Sequence, residues 1–536
     1  MVQANRNSVP VVQANRNSVP VVQANRNSVP VVQANRNSVP VVQEARTAFR
    51  PLNLNMNILA QIVESKKLEV KALYERYDLR ELQTLEVLKT SEVNPIFYQR
   101  LAEARNAETP FFITEFKRKS PSEGWINQNA DLSDQIQAYT QCGAGAISIL
   151  TDEPFFGGTY DDLKRARSIV NSQPSTAPPP LLLQKDFILD PLQIYLAKLH
   201  GADLILLIAA ILEPEQLDDL RKAAESIGLG VLVEVHDVAE LEKIQHLDFQ
   251  VLGINNRDLK TFRTSLNRVN TLTNQAGGRF VIAESGVLNY RHFQMVQHAD
   301  GFLIGTGLMR ESKEEKAFRL TEHFQSQGRL LFKACGIRTA EMLQSLTGLI
   351  GQSIKPDFIG INFSPVSKRR ADAQTCAVFK TSQVSGAVAV FYKNTESEIR
   401  ETLQNYPFKT IQLYAGDVSP AFVRSLKVRV ILAVKISHNL PWSEHVNSLI
   451  EPYAADIDCF ILDGATPGSG ERIDADIPAD FPYPFMLAGG LQEENLKAIL
   501  AYKNCIGVDI ASGIETEGEV DLAKIGRIAQ ILGKRQ

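Results

Sequence analysis

Short apolar runs alternate with helix-forming segments from residue 111 onward, and this alternation limits the folds open to the chain. Runs that are apolar throughout and separated by helices are typical of parallel strands buried on both faces of a sheet. Eight such runs within about 200 residues predict a closed (β/α)8 barrel rather than an open sheet. They are "FFITEF" (111–116), "GAISIL" (145–150), "LLLQKDF" (181–187), "LILLIAA" (204–210), "VLVEV" (231–235), "VLGINN" (251–256), "FVIAES" (280–285) and "GFLIGTG" (301–307).

A second series of eight apolar runs begins at residue 330. We therefore predict an α/β architecture of two fused (β/α)8 barrels, with the boundary near residues 312–329. The first domain is expected to span residues 45–327, opening with a helical extension, and the second residues 328–536. The second series is "LLFKACG" (330–336), "FIGINF" (358–363), "AVAVF" (387–391), "TIQLY" (410–414), "VILAVKI" (430–436), "CFILDG" (459–464), "FMLAGG" (485–490) and "GVDIASG" (507–513).

The first forty residues are four copies of "xVQANRNSVP", and a fifth copy begins before the pattern diverges. A ten-residue period matches none of the familiar solenoid repeats, which are about 20 to 50 residues long. Each copy has too few apolar residues to bury a core. We predict a disordered tail over residues 1–44 that is unrelated to function. A repeated docking tail is the alternative, although nothing in the unit names a partner.

Composition excludes several classes of protein. The net charge of −4 and the pI of about 6.1 give no basic surface for nucleic acid. The longest apolar run, residues 202–212, is shorter than the roughly 20 residues that span a bilayer, and the N-terminus lacks the apolar core of a signal peptide. A cytoplasmic chain is expected. The cysteines show no CxxC spacing that would indicate disulfides or zinc; they are Cys142, Cys335, Cys376, Cys459 and Cys505.

Polar and charged residues end many strands of the first series, and barrel active sites lie at the carboxyl ends of the strands. One charged residue there is more often a surface residue or part of a salt bridge. Five such strand ends out of eight favour a shared catalytic site, because the closed sheet brings them together. Lysines that face carboxylates can act as general acids. These residues are Glu115 with Lys117, Lys185, Glu234, Asn255 with Arg257, and Glu284 with Ser285.

Small residues follow the seventh and eighth predicted strands of both series. The segments are "ESGV" and "IGTG" in the first series, and "LAGGL" and "DIASGIE" in the second. Small residues let backbone N–H groups approach a phosphate, and barrels commonly bind phosphate at these two strand ends. A plain turn explains any one of these motifs equally well. Their recurrence in both series predicts phosphorylated substrates for both barrels.

These blocks resemble two enzyme families. "EFKRKSPSEG", "QKDFILDPLQIYLAKLHGAD", "GINNRDL", "AESGV" and "GFLIGTGLM" are similar to indole-3-glycerol-phosphate synthase. "KACGIR", "GINFSPVSKRR", "IQLYAGD", "ILDGATPGSGERID", "LAGGL" and "GVDIASGIE" resemble phosphoribosylanthranilate isomerase. Together the blocks cover about residues 50–534, in the order of the fused bacterial enzyme of tryptophan biosynthesis.

For the first barrel the resemblance implies closure of a carboxyphenylamino-deoxyribulose phosphate to indole-3-glycerol phosphate, with loss of carbon dioxide and water. Lys185 matches the general acid for ring closure. Lys117 would pair with the substrate carboxylate or aid dehydration, held in place by Glu115; which lysine serves which step stays open. Glu234 would transfer a proton later, with Asn255 and Glu284 forming a polar floor. The residues that would position substrate and phosphate are Ser120, Arg257, Ser285, Gly286, Gly305 and Thr306.

For the second barrel the resemblance implies an Amadori rearrangement of phosphoribosylanthranilate. Taken alone, Cys335 would more often be a buried small hydrophobic residue, but its motif matches the family base, and Asp463 matches the acid. Arg369 would bind the anthranilate carboxylate through two hydrogen bonds. The residues that would cradle the phosphate are Gly489, Gly490, Ala511, Ser512 and Gly513.

The resemblance implies neither metal nor redox cofactor, and no metal-ligand cluster is visible in the sequence. The expected ligands are phosphosugar–anthranilate substrates. A monomer without nucleic-acid or membrane partners is expected, with other pathway enzymes as candidate partners. Three positions depart from the isomerase pattern: Tyr414 replaces the usual His, and Ser364 and Val366 stand where Tyr and Lys are common. None of them removes a proposed acid, base or phosphate donor.

Two alternatives remain. The first is another pair of phosphosugar barrels, such as an isomerase of histidine synthesis, which typically uses aspartates at strands one and five. Here strand one supplies Glu115 or Cys335 instead. The second is that one barrel is a non-catalytic stabilising or docking module. Such a barrel would be expected to lose its acid, base or phosphate glycines, and both series retain them.

Overall fold

The computed structural model describes most of the chain beyond residue 56. The described residues are 57–533 except for 86–94, 122, 174–177, 259–262, 289, 297, 310–329, 348–355, 382–383, 385, 438–439, 465–476, 479–480 and 503. The predicted repeat tail (1–44) and the predicted boundary segment (312–329) lie outside these residues.

The first barrel is a closed ring of eight parallel strands. Strand β1 pairs with β2 on one side and with β8 on the other, which closes the ring; Ile113 is opposite Ala146, and Phe111 is opposite Gly301. The strands are β1 (Phe111–Phe116), β2 (Ala146–Leu150), β3 (Leu181–Lys185), β4 (Leu204–Ile208), β5 (Gly230–Val235), β6 (Val251–Asn255), β7 (Phe280–Glu284) and β8 (Gly301–Ile304).

The second barrel repeats this architecture, with β9 pairing to both β10 and β16. The strands are β9 (Leu331–Ile337), β10 (Phe358–Asn362), β11 (Ala387–Val390), β12 (Thr410–Tyr414), β13 (Arg429–Lys435), β14 (Cys459–Asp463), β15 (Phe485–Ala488) and β16 (Cys505–Ile510). The prediction of two fused (β/α)8 barrels is confirmed, and each predicted strand overlaps an observed one.

Helices connect the strands and surround both rings. Those before and within the first barrel are Ile58–Tyr74, Leu79–Thr84, Ile96–Asn106, Leu132–Gln141, Glu153–Phe156, Tyr160–Ser172, Pro191–Leu199, Pro214–Ser226, Val238–Ile244, Asn267–Thr273, Tyr290–Met295 and Thr306–Met309. Those of the second barrel are Ala340–Thr347, Ala373–Thr381, Glu396–Asn405, Pro420–Ser425, Trp442–His445, Val446–Ile450 (π), Glu451–Ala454, Leu496–Ala501 (3-10), Ser512–Ile514 (3-10) and Leu522–Leu532. Two short hairpins pair Lys119–Ser120 with Gly124–Trp125 and Glu515–Thr516 with Glu519–Val520.

Apolar side chains fill the ring of the first barrel. Ile113, Leu183 and Leu232 are fully buried in one cluster together with the side chains of helix Ile96–Asn106. Phe97 of that helix packs edge-on to Phe111 at the amino end of β1. The amino end of the barrel is therefore closed by hydrophobic packing, which leaves the carboxyl end for a site. In the described part of the chain, no helix is long and apolar enough to cross a membrane.

The two barrels are joined through buried polar contacts. Residues after β6 of the first barrel meet the residues that precede β14 of the second. Ser265 Oγ donates to the Ile457 carbonyl oxygen at 2.5 Å, the Leu266 N–H to Asp458 Oδ1 at 3.1 Å, and the Asn267 N–H to the Ile457 oxygen at 3.1 Å. The amino side of the second barrel thus contacts the carboxyl-end loops of the first.

Replacing Gly301 with alanine is expected to destabilise the first barrel. A Cβ there would lie 2.4 Å from the Phe111 carbonyl oxygen, so β1 and β8 would have to separate. We expect the free energy of unfolding to fall by about 1 to 3 kcal/mol, as in other overpacked sites. Urea unfolding followed by circular dichroism measures it. Gly526→Ala is the control, because a Cβ there meets open space in helix Leu522–Leu532; an equal loss in both variants would contradict the steric explanation.

Candidate active sites of the two barrels

A cavity of about 220 Å³ opens at the carboxyl end of the first barrel. It gathers every residue that the sequence assigned to this site, although they come from six different strand ends or the loops that follow them. The predicted residues that line it are Glu115, Lys117, Ser120, Lys185, Glu234, Asn255, Arg257, Glu284, Ser285, Gly286, Gly305 and Thr306.

Lys185 lines this cavity and lies between two carboxyl groups. Its Nζ is 2.5 Å from Glu284 Oε2 and 3.1 Å from Glu234 Oε2. Burial alone would lower the pKa of Lys185, but the attraction of Glu234 and Glu284 outweighs it and raises that pKa well above its ordinary value. The lysine is therefore a charged ammonium at neutral pH, aimed into the cavity by the end of β3.

Glu234 and Glu284 share this lysine but differ in acidity. Burial raises the pKa of Glu284 far above its usual range, and the charge of Lys185 only partly opposes this. Burial also acts on Glu234, but the charge of Lys185 and the nearby imidazole of His236 outweigh it and hold the pKa of Glu234 well below its usual range. His236 Nε2 lies 3.1 Å from Glu234 Oε1. One carboxyl group is therefore charged and the other protonated, so the two can serve different steps.

Glu115 and Lys117 form a second ion pair on the rim of the cavity. Lys117 Nζ lies 2.6 Å from Glu115 Oε1, because residues two positions apart in an extended chain point to the same side. Burial opposes ionisation of Glu115, but Lys117 and Lys185 lower its pKa. A Cβ on Gly305 would come within 2.4 Å of the same Oε1 atom. Only glycine at the end of β8 leaves room for this carboxylate.

The turn after β7 has the geometry of an anion-binding turn. Ser285 and Gly286 have φ values of 62° and 82°, both in the left-handed region. The carbonyl oxygen of Ser285 accepts a hydrogen bond from Asn256 Nδ2 at 3.2 Å. Among the described residues, neither Ser285 nor Gly286 donates its N–H to a protein acceptor. Consecutive N–H groups in such a turn can bind an anion.

A cavity of about 450 Å³ opens at the carboxyl end of the second barrel. The predicted residues that line it are Cys335, Arg369, Asp463, Gly489, Gly490, Ala511 and Ser512. Gly513 is not among the lining residues. A Cβ at Gly513 would lie 2.1 Å from the Leu491 carbonyl oxygen, so this glycine lets two loops of the site pack together.

The candidate base and acid of the second cavity both have raised pKa values. Burial, followed by the charge of Asp509, raises the pKa of Cys335 to about 11. Burial and Asp509 also raise the pKa of Asp463 to about 6. The Tyr414 hydroxyl donates to Asp463 Oδ2 at 3.3 Å. Asp463 is therefore half protonated near pH 6 and largely ionised at neutral pH, whereas Cys335 remains a thiol.

Arg369 already has a partner in this structure. Its Nε lies 2.9 Å from Glu515 Oε1, and its Nη2 lies 2.9 Å from Glu515 Oε2. The two residues therefore form a bidentate ion pair. Gly336 has a φ of 83°, and a Cβ there would lie 2.5 Å from Arg369 Cδ. Because glycine has no Cβ, Gly336 lets the side chain of Arg369 lie against β9, beside Cys335.

The comparisons with known proteins cover both barrels. Residues 59–320 match the family described as "Indole-3-glycerol phosphate synthase", and residues 332–531 match "N-(5'phosphoribosyl)anthranilate (PRA) isomerase". A "Tryptophan biosynthesis protein TrpCF" of Vibrio parahaemolyticus is 32% identical over 88% of this chain and 95% of that protein. The chain belongs to the bifunctional synthase–isomerase family of tryptophan biosynthesis.

Other relatives also match most of this chain. A TrpCF protein of Salmonella typhi is 32% identical over 87% of this chain and 97% of its own length. A "Multifunctional tryptophan biosynthesis protein" of Schizosaccharomyces pombe is 30% identical over 80% of this chain and 60% of that protein. The first barrel is the synthase, a carboxy-lyase, and the second is the isomerase, an intramolecular oxidoreductase.

Sequence reasoning missed several residues of the synthase site. His236 stands two positions after Glu234, where the alternation along β5 could have indicated it. Apolar residues of the N-terminal helix, including Ile58 and Ile62, line the cavity. Lys66 of that helix is fully buried against three carboxylates, with Nζ distances of 2.7 Å to Asp186 and Glu69 and 3.1 Å to Asp152. Helical periodicity alone did not show that this helix reaches the site.

The isomerase site also contains an ion pair that the sequence did not indicate. Lys333 is fully buried in β9, and its Nζ lies 2.8 Å from Asp509 Oδ1 in β16. A Cβ on Gly360 of β10 would lie 2.8 Å from Cys335 Sγ and 3.1 Å from Lys333 Nζ. The pair is therefore next to the candidate base, and a lysine within the apolar run "LLFKACG" was the signal that could have found it.

Proposed function

We propose that the synthase and isomerase reactions take place in two separate sites, each built from the residues assigned above. The observation that carries this proposal is the Lys185–Glu234–Glu284 cluster, because its groups have the opposite protonation states that acid and base steps need. In the synthase, the Lys185 ammonium protonates the ketone oxygen as the aromatic carbon that bears the carboxylate attacks, and carbon dioxide then leaves that carbon and restores the aromatic ring. The protonated carboxyl of Glu284, 2.5 Å away, then returns a proton to Lys185.

Later steps of the synthase use the other groups of the cavity. The charged carboxylate of Glu234 accepts the proton lost from the ring carbon next to the one from which the hydroxyl departs. Lys117 pairs with the substrate carboxylate during ring closure or assists the departure of the hydroxyl. Asn255 completes the polar floor, and Ser120 and Arg257 position the substrate. The phosphate is bound by N–H groups at the ends of β7 and β8, in the segments that hold Ser285, Gly286, Gly305 and Thr306.

In the isomerase, Asp463 donates the proton that opens the furanose ring. The Cys335 thiolate removes the proton from the neighbouring ribose carbon, with the nearby Lys333 ammonium favouring the thiolate. The anthranilate carboxylate binds Arg369 when it displaces Glu515 from the guanidinium. Phosphate binds the small residues after β15 and β16, which are Gly489, Gly490, Ala511 and Ser512, with Gly513 supporting the loop.

Single substitutions should silence one reaction and spare the other. Lys185→Ala is expected to lower the synthase rate by roughly 10² or more, and Asp463→Ala or Cys335→Ala the isomerase rate by a similar factor, because each removes a general acid or base. Separate assays of the two reactions on each purified variant measure this. In each variant, the unchanged activity of the other barrel shows that the chain has folded. A substitution that silenced both reactions would contradict two separate sites.

The isomerase should have an unusual pH profile. With pKa values of about 6 for Asp463 and about 11 for Cys335, the active form has a protonated acid and a deprotonated base. Between these pKa values the gain of thiolate with rising pH offsets the loss of protonated Asp463, so kcat/KM stays flat. Below about pH 6 Asp463 is already protonated and only thiolate is lost, so the rate falls about tenfold per pH unit.

Asp463→Asn provides the control for this profile. Its residual activity depends on the Cys335 thiolate alone and should therefore rise about tenfold per pH unit between about pH 7 and 9. Initial-rate measurements of both proteins across this range make the comparison. A wild-type rate that rose as steeply as that of the variant would show that Asp463 is not the acid.

Residues 45–327 and 328–536 are proposed as the two catalytic domains of a monomer that binds phosphosugar–anthranilate substrates. The support is that each set of catalytic residues comes from one barrel of one chain. Sedimentation equilibrium is expected to give a mass near 59.5 kDa. A mass of twice this value, retained at assay concentrations, would contradict the monomer.

A further inference from the structure

One residue of the isomerase barrel lines the cavity of the synthase. Arg429 is the first residue of β13, at the amino end of the second barrel, yet its side chain borders the synthase cavity. One terminal nitrogen of its guanidinium donates to the Gly286 carbonyl oxygen at 2.9 Å. Only 14% of the side chain is exposed, so this contact lies inside the interface between the barrels.

The rest of the guanidinium is fixed by a carboxylate of its own barrel. Arg429 Nε lies 2.6 Å from Asp458 Oδ2, and the second terminal nitrogen lies 3.3 Å from Asp458 Oδ1. Asp458 in turn accepts the Leu266 N–H of the synthase barrel. Three nitrogens of one planar guanidinium bond both carboxylate oxygens and the Gly286 carbonyl in fixed directions, whereas a lysine ammonium is a single nitrogen on a flexible stem. The arginine therefore has one defined position.

The carbonyl that Arg429 contacts belongs to the Ser285–Gly286 turn of the synthase site, in which both residues have positive φ. Ser285 is in the left-handed region at φ 62°, a conformation that is unfavourable for a residue with a side chain. Such a conformation persists only where neighbouring groups hold it. Two hydrogen bonds do so here: Asn256 holds the Ser285 carbonyl, and Arg429 holds the Gly286 carbonyl. With both carbonyls held, the N–H groups of the turn remain available for an anion.

We propose that Arg429 is a positioning residue of the synthase, supplied by the isomerase barrel. It holds the Ser285–Gly286 turn in the conformation that binds the substrate phosphate, so the affinity of the synthase for its substrate depends on the second barrel. This inference rests on the proposed phosphate-binding role of Ser285 and Gly286. It gives the fusion of the two barrels a consequence beyond stability, since one site is incomplete without the other barrel.

The test uses the full chain with Arg429→Met and Asp458→Asn combined, which leaves no unpaired carboxylate in the interface. We expect the synthase KM to rise about 3- to 10-fold, the factor expected for one hydrogen bond, with kcat changed less than about 2-fold. The inhibition constant of inorganic phosphate for the synthase should rise by the same factor. The isomerase kcat/KM should be unchanged. Unchanged synthase KM and phosphate inhibition would overturn the proposal.

Ser265→Ala is the matched control. It removes a buried hydrogen bond of 2.5 Å from the same interface without touching the turn, so the synthase KM should stay as in the wild type. An equal rise in KM in this control would mean that any loosening of the interface suffices, which also overturns the proposal. If the double variant loses isomerase activity and so fails to fold, the single variant Arg429→Lys tests the role of Arg429 instead. It keeps a cation beside Asp458 but lacks the rigid fork that fixes the Gly286 carbonyl, so the synthase KM is expected to rise. An unchanged synthase KM would contradict the role of Arg429.

Gly286→Ala separates this inference from the phosphate assignment itself. Gly286 has a φ of 82°, and a Cβ there would lie 2.4 Å from Thr264 Cγ2, so alanine distorts the turn directly. If Gly286→Ala raises KM and the Arg429 variants do not, the phosphate site stands and the role of Arg429 fails. If Gly286→Ala leaves KM and phosphate inhibition unchanged, the phosphate assignment fails, and the inference fails with it.

Discussion

Closure of a parallel sheet into a ring is the constraint on which both sites depend. Parallel pairing sends every strand in one direction, so residues far apart in sequence meet at one rim: Lys185 is 49 residues from Glu234 and 99 from Glu284. Burial there penalises charge, and Lys185 bonds the charged carboxylate of Glu234 and the carboxyl of Glu284 at once. The same requirement explains the buried Lys333–Asp509 pair of the second ring. The acidities that the chemistry needs follow from this compensation of buried charge.

The two barrels contribute different ends to the interface between them. The amino side of the isomerase covers part of the carboxyl-end loops of the synthase, through Leu266, Asp458 and Arg429. The isomerase site, at the opposite end of its own strands, is separated from this interface by the length of β13, about 20 Å. The two openings therefore do not face each other across the interface. The synthase depends on its neighbour for structure, whereas the isomerase site is built within one barrel.

Much of the fold and of the sites could be predicted from the sequence, because the signals were local. Strands buried on both faces need apolar residues at every position, and runs such as "LILLIAA" satisfy that within seven letters. Strand ends carry the functional groups, so Glu115 or Asp463 stands out against an apolar run. The structure brings the predicted residues of each barrel into one cavity, with Gly513 supporting the loop from behind.

The sequence by itself determined the number and order of the strands, the two barrels and the polar residues at the strand ends. Only the tertiary structure decided which groups become partners. Lys66 reads as a helix-surface lysine but is buried against Asp186; Arg369 pairs with Glu515, and Arg429 reaches Gly286 of the other barrel. These pairs form between elements that are far apart in the chain. No local pattern records them, because the distance between two side chains is set by the packing of whole barrels.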